Sequence, residues 1–314
     1  MKKKIVVFGG GTGISYLLRG LKDFPVEITA VITVSDNGKS TGKLREEFST
    51  PAVGDIRKVL SNLSELPEEV KSIMEYRFET YSDLDGHPLG NLVLTAMLNK
   101  NGNLLESIKQ LSTLLKVKHT VLPMSEDSLT LMAETIDGDI VTGQAAIGKS
   151  EKKIKKLYYE KKPHVLKEVI EAVNEADLIL ISMGSLYTSI IAHLICKEIS
   201  SAIKKSKAKV MYICNAMSQP GEMEACFVSD YLNILEQYLG KNRINAVVAS
   251  NTKISKEMLS KYEKEAKDQV KIDYNNLQKR NIEFIEDDLI TMEDGTIKHN
   301  SYKLASIIFS YLMR

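Results

Sequence analysis

The chain opens Lys2-Lys3-Lys4-Ile5-Val6-Val7-Phe8-Gly9-Gly10-Gly11-Thr12-Gly13-Ile14-Ser15, and few folds accept such a start. Ile5, Val6, Val7 and Phe8 form a continuous apolar run rich in β-branched residues. Such a run fits a strand covered on both faces, as in a parallel sheet. Gly9, Gly10, Gly11 and Gly13 follow at once, and a helical spacing begins with Ile14, Leu17, Leu18 and Leu21. Strand, glycine turn and helix together aim backbone N–H groups and a positive helix end at a phosphate. Without Cβ atoms the turn lets an anion come close to the backbone. The dinucleotide fingerprint is incomplete, because Gly9 and Gly11 supply its first two glycines but Ile14 stands in place of the third. Nucleotide or phosphate binding at Gly9, Gly10, Gly11, Thr12 and Gly13 is the first expectation, and a merely tight strand-to-helix turn is the alternative.

A length of 314 residues suits one large α/β domain or two small ones, and the reading adopted is a single Rossmann-like domain over 1–314. A net charge of +1 gives no reason to expect nucleic acid or a membrane surface as partner. Cys196, Cys214 and Cys226 form an odd set without a Cys-x-x-Cys pair, so they read as reduced thiols of a cytoplasmic protein. The basic start resembles a signal peptide only as far as Gly9, and no stretch approaches the ~20 apolar residues of a membrane span.

A second buried strand over 28–34 completes a first βαβ unit and delivers the polar loop 35–45. Ligands of open α/β sheets sit outside the carboxyl ends of the strands, so this loop should face the glycine turn. Asp36 could hold magnesium or a ribose hydroxyl, and Ser40 and Thr41 could bond phosphate; a plain loop with a helix cap is the alternative. Asp55 reads as the N-cap of another helix, with Arg57 in its first turn. A helix follows over 67–78. His87 lies in Asp85-Gly86-His87-Pro88-Leu89-Gly90-Asn91, before the apolar helix 92–98, and reads equally as a ligand contact or a structural histidine.

Over 117–160 the pattern changes to short alternating segments, 129–135 and 139–144, joined by Asp137-Gly138, a hairpin signal. This reads as an antiparallel insertion on a doubly wound parallel core. Parallel-type strands return at 178–182, 210–214 and 246–249, with helices at 164–175, 187–204, 222–239 and 255–264. The charged run 151–162 reads as a solvated face. Gly143-x-x-x-x-Gly148-Lys149-Ser150 satisfies the P-loop pattern letter for letter. It follows a hairpin arm instead of a buried strand, and no apolar strand ending in Asp lies downstream to hold magnesium, so it is set aside. Asn37-Gly38-Lys39-Ser40 is a second partial match, with Thr33 where the first glycine belongs.

Six segments taken together resemble a known family: GGGTG at 9–13, DNGKSTGKLR at 36–45, GDIR at 54–57, GHPLGNL at 86–92, GSLYTSII at 184–191 and CNAMSQPGE at 214–222. They span most of the chain in the order of the bacterial gluconeogenesis-factor (YvcK-like) family, related to the 2-phospho-L-lactate transferases (CofD). The resemblance implies a Rossmann-like core, a cleft for UDP-sugars such as UDP-N-acetylglucosamine, and a role in cell shape and wall synthesis on gluconeogenic carbon sources. The transferase relatives use magnesium. Carried over by position, the 9–13 loop and Gly184, Ser185, Leu186, Tyr187 and Thr188 should line the phosphates. Asp36 and Asn37 should lie near any metal, and Asn215, Gln219 and Glu222 on the facing wall. Arg57, His87 and Asn91 complete the candidate set. Asp36, Asp55 and His87 are the candidates for any catalysis.

Lys39 replaces a usual glycine of the family, and Ser182-Met183 a usual Gly-Pro. Lys298-His299-Asn300 resembles a run that often begins with Arg, and lysine keeps the charge without the bidentate fork. Tyr262 could stack on base or sugar, or be structural. A nucleotide-sugar sensor acting through a cell-wall synthesis protein and a magnesium-dependent transferase both remain open. The absence of Trp and an aromatic content of 6% favour the sensor, since a deazaflavin wants aromatic surfaces. A homodimer is expected.

Overall fold

Each short β-branched run becomes a strand with both faces covered. In the computed structural model, residues 2–219, 227–263, 267–293 and 295–314 are described. The order is β1 (Lys3–Gly9), α1 (Thr12–Leu21), β2 (Val26–Ile32), α2 (Lys39–Phe48), α3 (Gly54–Leu63), α4 (Glu68–Glu75), α5 (Leu89–Asn101), α6 (Leu104–Leu114) and β3 (Thr120–Pro123). There follow β4 (Leu131–Thr135), β5 (Ile140–Thr142), α7 (Gln144–Ile147), β6 (Ile154–Tyr159), α8 (Lys167–Glu175) and β7 (Leu178–Ile181). A π-helix (Leu186–Ile191) leads to α9 (Ala192–Leu194), α10 (Lys197–Lys205), β8 (Lys209–Ile213), α11 (Val228–Leu239) and β9 (Ala246–Ser250). The chain closes with α12 (Lys256–Glu263), α13 (Tyr274–Leu277), β10 (Glu283–Asp287), β11 (Ile290–Glu293), β12 (Thr296–His299) and α14 (Ser301–Leu312).

Seven strands form one sheet in the order β10-β9-β8-β7-β1-β2-β3, and every pairing in it is parallel. β1 is internal, and Ile5, Val6, Val7 and Phe8 are all buried. The chain moves outward from β1 through β2 to β3, then returns to β7 on the other side. The strand order therefore reverses between β1 and β7, which is where a doubly wound sheet opens a crevice. α1 packs on α3 and α14, and α10 on α8 and α11. Right-handed crossovers put these two groups on opposite faces.

Several boundaries differ from the sequence expectation. Thr120–Pro123 is the edge strand of the parallel sheet, paired with β2, so the antiparallel part begins only at β4. That part is a three-stranded sheet in the order β5-β4-β6 with the turn at Asp137-Gly138, where Gly138 has φ +90°. β6 runs through the charged stretch 151–162 and buries Leu157 and Tyr159. Most of the loop 35–45 is helix α2, and the C-terminal β11–β12 hairpin carried no sequence signal that was read. The start of the helix expected over 222–239 lies outside the described residues, as do Glu222, Cys226 and Lys264. Cys196 and Cys214 are buried and form no disulfide among the described residues. Among the described residues no helix is long and apolar enough to cross a membrane.

Gly20 shows how tightly the α1 layer is built. A Cβ there would overlap the carbonyl oxygen of Ser301 and lie 2.6 Å from its carbon and 3.0 Å from the Tyr302 nitrogen. These are backbone atoms and cannot rotate away. Gly20→Ala gains about 1 kcal/mol of helix propensity, but overpacking of this kind costs about 1–3 kcal/mol. The expected result is a lower urea midpoint with an unchanged slope. A higher midpoint would show that α14 yields to α1.

Candidate functional site

The loops that follow β1, β7 and β8 meet at the crevice, and the β12 end of the hairpin closes one side. They enclose a cleft of about 430 Å³. Gly10, Gly11, Thr12, Gly13 and Tyr16 come from the β1 side, and Asp36 follows β2. Asp55 and Lys58 come from α3. Met183, Gly184, Ser185, Thr188 and Ser189 follow β7, and Asn215, Ala216, Met217 and Gln219 follow β8. Ile297, Lys298 and His299 come from β12, and Gln144 reaches in from α7.

The glycines have reasons to be glycine within the protein itself. A Cβ on Gly9 would overlap the Ser182 hydroxyl, one on Gly11 the Asp55 carboxylate, and one on Gly13 the Met183 carbonyl. Gly10 faces Ser189, whose Oγ would lie 2.6 Å from an added Cβ. The β1 and β7 loops thus touch backbone to backbone at Gly13 and Met183, while Gly9 and Gly10 leave room for the Ser182 and Ser189 hydroxyls. His193, buried in α9, donates from Nε2 to the Gly9 carbonyl at 3.1 Å, its ring edge-on to Phe8. Burial lowers its pKa to about 4. The first-turn N–H groups of α1 have no acceptor inside the helix and face the cleft.

Asp55 holds the same loop from the other side. Its buried carboxylate accepts from the Gly11 N–H and pairs with Lys58 at 3.6 Å. Lys58 Nζ also reaches Thr12 Oγ1 at 3.3 Å. Burial pushes the Asp55 pKa up, and the Asp36 charge adds to this. Asp36 accepts from the Gly38 N–H at 3.0 Å. Arg45 fixes its backbone by donating to the carbonyls of Ser35 at 3.1 Å, Asp36 at 3.0 Å and Leu129 at 2.6 Å. Across the cleft, Asn215 bonds Gly184 reciprocally, accepting from its N–H at 3.2 Å and donating to its carbonyl at 2.6 Å. The Ser185 carbonyl accepts from both Ser189 N–H at 3.0 Å and Ile190 N–H at 3.2 Å. That extra residue in the turn makes the π-helix, and it lets Thr188 and Ser189 line the cleft side by side.

Other candidates stand elsewhere. Ser40, His87 and Asn91 form a buried cluster between α2 and α5: Ser40 Oγ lies 2.8 Å from His87 Nδ1 and accepts from Asn91 Nδ2 at 3.1 Å. Burial lowers the His87 pKa. Arg57 is buried against Gly90 and pairs with Glu75. Thr41 is buried against Gly54. Asn37 accepts from the Ala145 N–H at 2.9 Å and so anchors α7. These residues do not line the cleft; they fix the helices and loops around it. Leu186 is in the core, and neither it nor Tyr187 nor Gly9 lines the wall. Tyr262 lines an adjoining groove with Gln219 and Lys298, and its hydroxyl accepts from the Ile297 N–H at 2.7 Å. Lys298 Nζ sits 4.8 Å from the centre of the Tyr16 ring.

Tyr16, Lys58, Gln144, Ser189 and His299 escaped the sequence reading. Lys58 carried a usable signal, since it follows Asp55 by one helical turn. Gln144 lies inside the P-loop lookalike, which has only the four-residue α7 and then β6 where a long helix would be needed. Its Oε1 accepts from Ser35 Oγ at 3.0 Å.

Residues 5–290 match the family described as 2-phospho-L-lactate transferase CofD. The chain is 40% identical over 312 residues to the gluconeogenesis factor of Bacillus subtilis, covering 99% of this chain and 98% of that protein. It is 42% identical to the putative gluconeogenesis factor of Thermotoga maritima, covering 97% and 98%. A crystal structure of a UPF0052-family protein from Bacillus halodurans superposes with a TM-score of 0.94 at 40% identity, covering 98% of this chain and 99% of that one. The chain belongs to the CofD family, in the company of the gluconeogenesis factors.

His193 and His299 are both buried with pKa values near 4, against 6.5 when unfolded. Each depressed value gives stability that is complete above pH 6.5 and lost as pH falls through about 4. At pH 5 each histidine should have removed about 2 kcal/mol. In denaturant titrations His193→Gln should halve this part of the loss between pH 7 and pH 5. Identical losses in the variant and the parent would contradict the assignment.

Proposed function

We propose that this chain is a cytoplasmic UDP-sugar-binding protein of the gluconeogenesis-factor type, serving cell shape and wall synthesis on gluconeogenic carbon through a wall-synthesis protein partner. The observation that carries the nucleotide reading is the cleft at the strand-order reversal. It joins the N-terminus of α1, the close Gly13–Met183 contact of the β1 and β7 loops, and the cations Lys58 and Lys298. Positive helix ends and backbone N–H groups suit a diphosphate. The adjoining groove of about 490 Å³ shares Met217, Gln219, Ile297 and Lys298 with the cleft and extends the room toward a sugar or base. The protein acts as a homodimer in this reading.

A magnesium-dependent transfer from a diphosphate ester is the second reading, and the Asp36–Asp55 pair favours it. Magnesium is commonly held by one or two carboxylates together with substrate phosphates. The two carboxylates line one cleft, and burial together with the Asp36 charge disfavours the ionised form of Asp55, which a cation would favour. The residues therefore fit the ion: Asp36 and Asp55 would hold it, and it would stabilise the negative charge of a departing diphosphate. Against transfer to a deazaflavin, Tyr16 and His299 are the only aromatic rings on the described cleft wall.

Two substitutions separate the cleft from the P-loop lookalike. Gly10→Val would displace the loop from Ser189 and cover the backbone that a diphosphate must approach. Losing two charge-assisted hydrogen bonds at about 1.5–3 kcal/mol each should weaken UDP-sugar binding at least a hundredfold. Lys149→Ala, on the lookalike, should change affinity and stability by no more than about 0.5 kcal/mol. Calorimetry with and without magnesium reads the affinities, and a thermal melt shows whether Gly10→Val is folded. Loss of binding in Lys149→Ala alone would make the lookalike a working P-loop.

A further inference from the structure

Helix α4 turns most of its apolar residues outward. Of its eight residues only Met74 is buried, where the helix packs on α3 and α5. Val70 and Ile73 lie one turn apart on the same face and are 37% and 54% exposed. Tyr76 follows at 57% exposed, its ring edge-on to Phe78 with centroids 5.5 Å apart. The chain then doubles back. Gly86 donates its N–H to the Phe78 carbonyl at 2.8 Å, and Leu89 donates to the Tyr76 carbonyl at 2.9 Å. The tip of this turn, residues 79–85, is exposed throughout and carries Tyr81 and Leu84. Fourteen large apolar side chains stand exposed among the described residues, and five of them fall within 70–84. A single exposed apolar residue needs no explanation, but a cluster marks a surface that a partner covers.

The surrounding charge decides which partner fits. Residues 65–86 hold seven acidic residues and two basic ones, a local excess of negative charge in a chain whose net charge is +1. Glu65 pairs with Lys118, Glu68 with Lys71 and Glu75 with Arg57. Glu69, Glu79, Asp83 and Asp85 are exposed and form no ion pair among the described residues. Two copies meeting here about a twofold axis would bring like charges together. An anionic membrane surface would be repelled for the same reason. Resting on the reading that the protein acts through a protein partner, we infer that α4 and the 76–88 turn dock a basic amphipathic helix of that partner. Its apolar stripe covers Val70, Ile73 and Tyr76, and its lysines or arginines meet the acids of the turn. None of these residues lines the cleft, so ligand and partner occupy separate places.

The probe is a labelled peptide of about 18 leucines and lysines with the leucines at helical spacing. An isomer of the same composition in scrambled order is its control. By fluorescence anisotropy the full chain should bind the first peptide at least tenfold more tightly, and salt should weaken the binding. Ile73→Ser with Tyr76→Ser should weaken it about tenfold, and so should Glu79→Lys with Asp83→Lys. Glu151→Lys with Glu160→Lys changes the net charge equally at the two ends of β6 and should leave the affinity unchanged. All six positions are exposed, so each variant should melt within about 2 °C of the parent. Equal affinity for the two peptides, or an equal loss in the Glu151 and Glu160 variant, would overturn the inference. A parent dimer that Ile73→Ser with Tyr76→Ser breaks in sedimentation would overturn it too, by making a second copy the occupant. UDP-sugar binding is read separately by calorimetry, so failure of the nucleotide reading cannot be mistaken for failure of the docking face.

Discussion

The rest of the cleft depends on two loops that meet backbone to backbone at Gly13 and Met183. Gly9 and Gly13 lie against Ser182 and Met183, so that the turns leaving β1 and β7 share one surface. A Cβ on Gly13 would overlap the Met183 carbonyl and force these turns apart. The contact is locked from both sides, by His193 on the Gly9 carbonyl and by Asp55 on the Gly11 N–H. His193 cannot be read as a ligand contact, since its Nε2 is spent on the Gly9 carbonyl. The two locks fix which backbone groups remain to face outward. Preorganisation of this kind lets a small number of N–H groups bind an anion without paying to order the loop at the moment of binding.

Charge in the cleft follows from the same packing. Asp55 is buried because it must reach Gly11, and Lys58 one turn later offsets it. Asp36 arrives from β2, its backbone held by Arg45, which also ties that loop to Leu129 at the root of the antiparallel sheet. Gln144 and Asn37 join that sheet to the cleft a second time. The insertion is therefore continuous with the wall of the site.

Much of this was legible in the residues. The runs at β1, β7, β8 and β9 are apolar on both faces, and period alone identifies them. That the loops after these strands share one side followed from the pattern, and with it the meeting of Gly10, Gly11, Thr12, Gly13, Asp36, Gly184, Ser185, Thr188 and Asn215, while Gln219 was expected only through the family resemblance. β3 was hidden because Thr120–Pro123 is short and sits beside a genuine hairpin, so its partner could not be told from local pattern. α2 was hidden because Gly38, Lys39, Ser40, Thr41, Gly42 and Lys43 read as turn, while burial of Ser40 and Thr41 makes them helical. His87, Asn91 and Arg57 drew attention as polar residues in turns. His87 and Asn91 serve Ser40, and Arg57 serves Glu75, which only the tertiary fold reveals. His299 was passed over for Lys298 because a charged residue beside a phosphate is easier to interpret than a neutral ring.

The central claim is that the cleft between the β1 and β7 loops holds a nucleoside diphosphate, with the carried group toward β8 and β12. A crystal structure of the full chain with UDP-N-acetylglucosamine and magnesium tests it most directly. The account predicts the diphosphate against Gly10, Gly11, Thr12 and Gly13, with the sugar or uridine beside Asn215 and His299. A nucleotide seated on Gly143, Gly148 and Lys149, or phosphates lying on the His299 side with the carried group over the glycine loop, would contradict it.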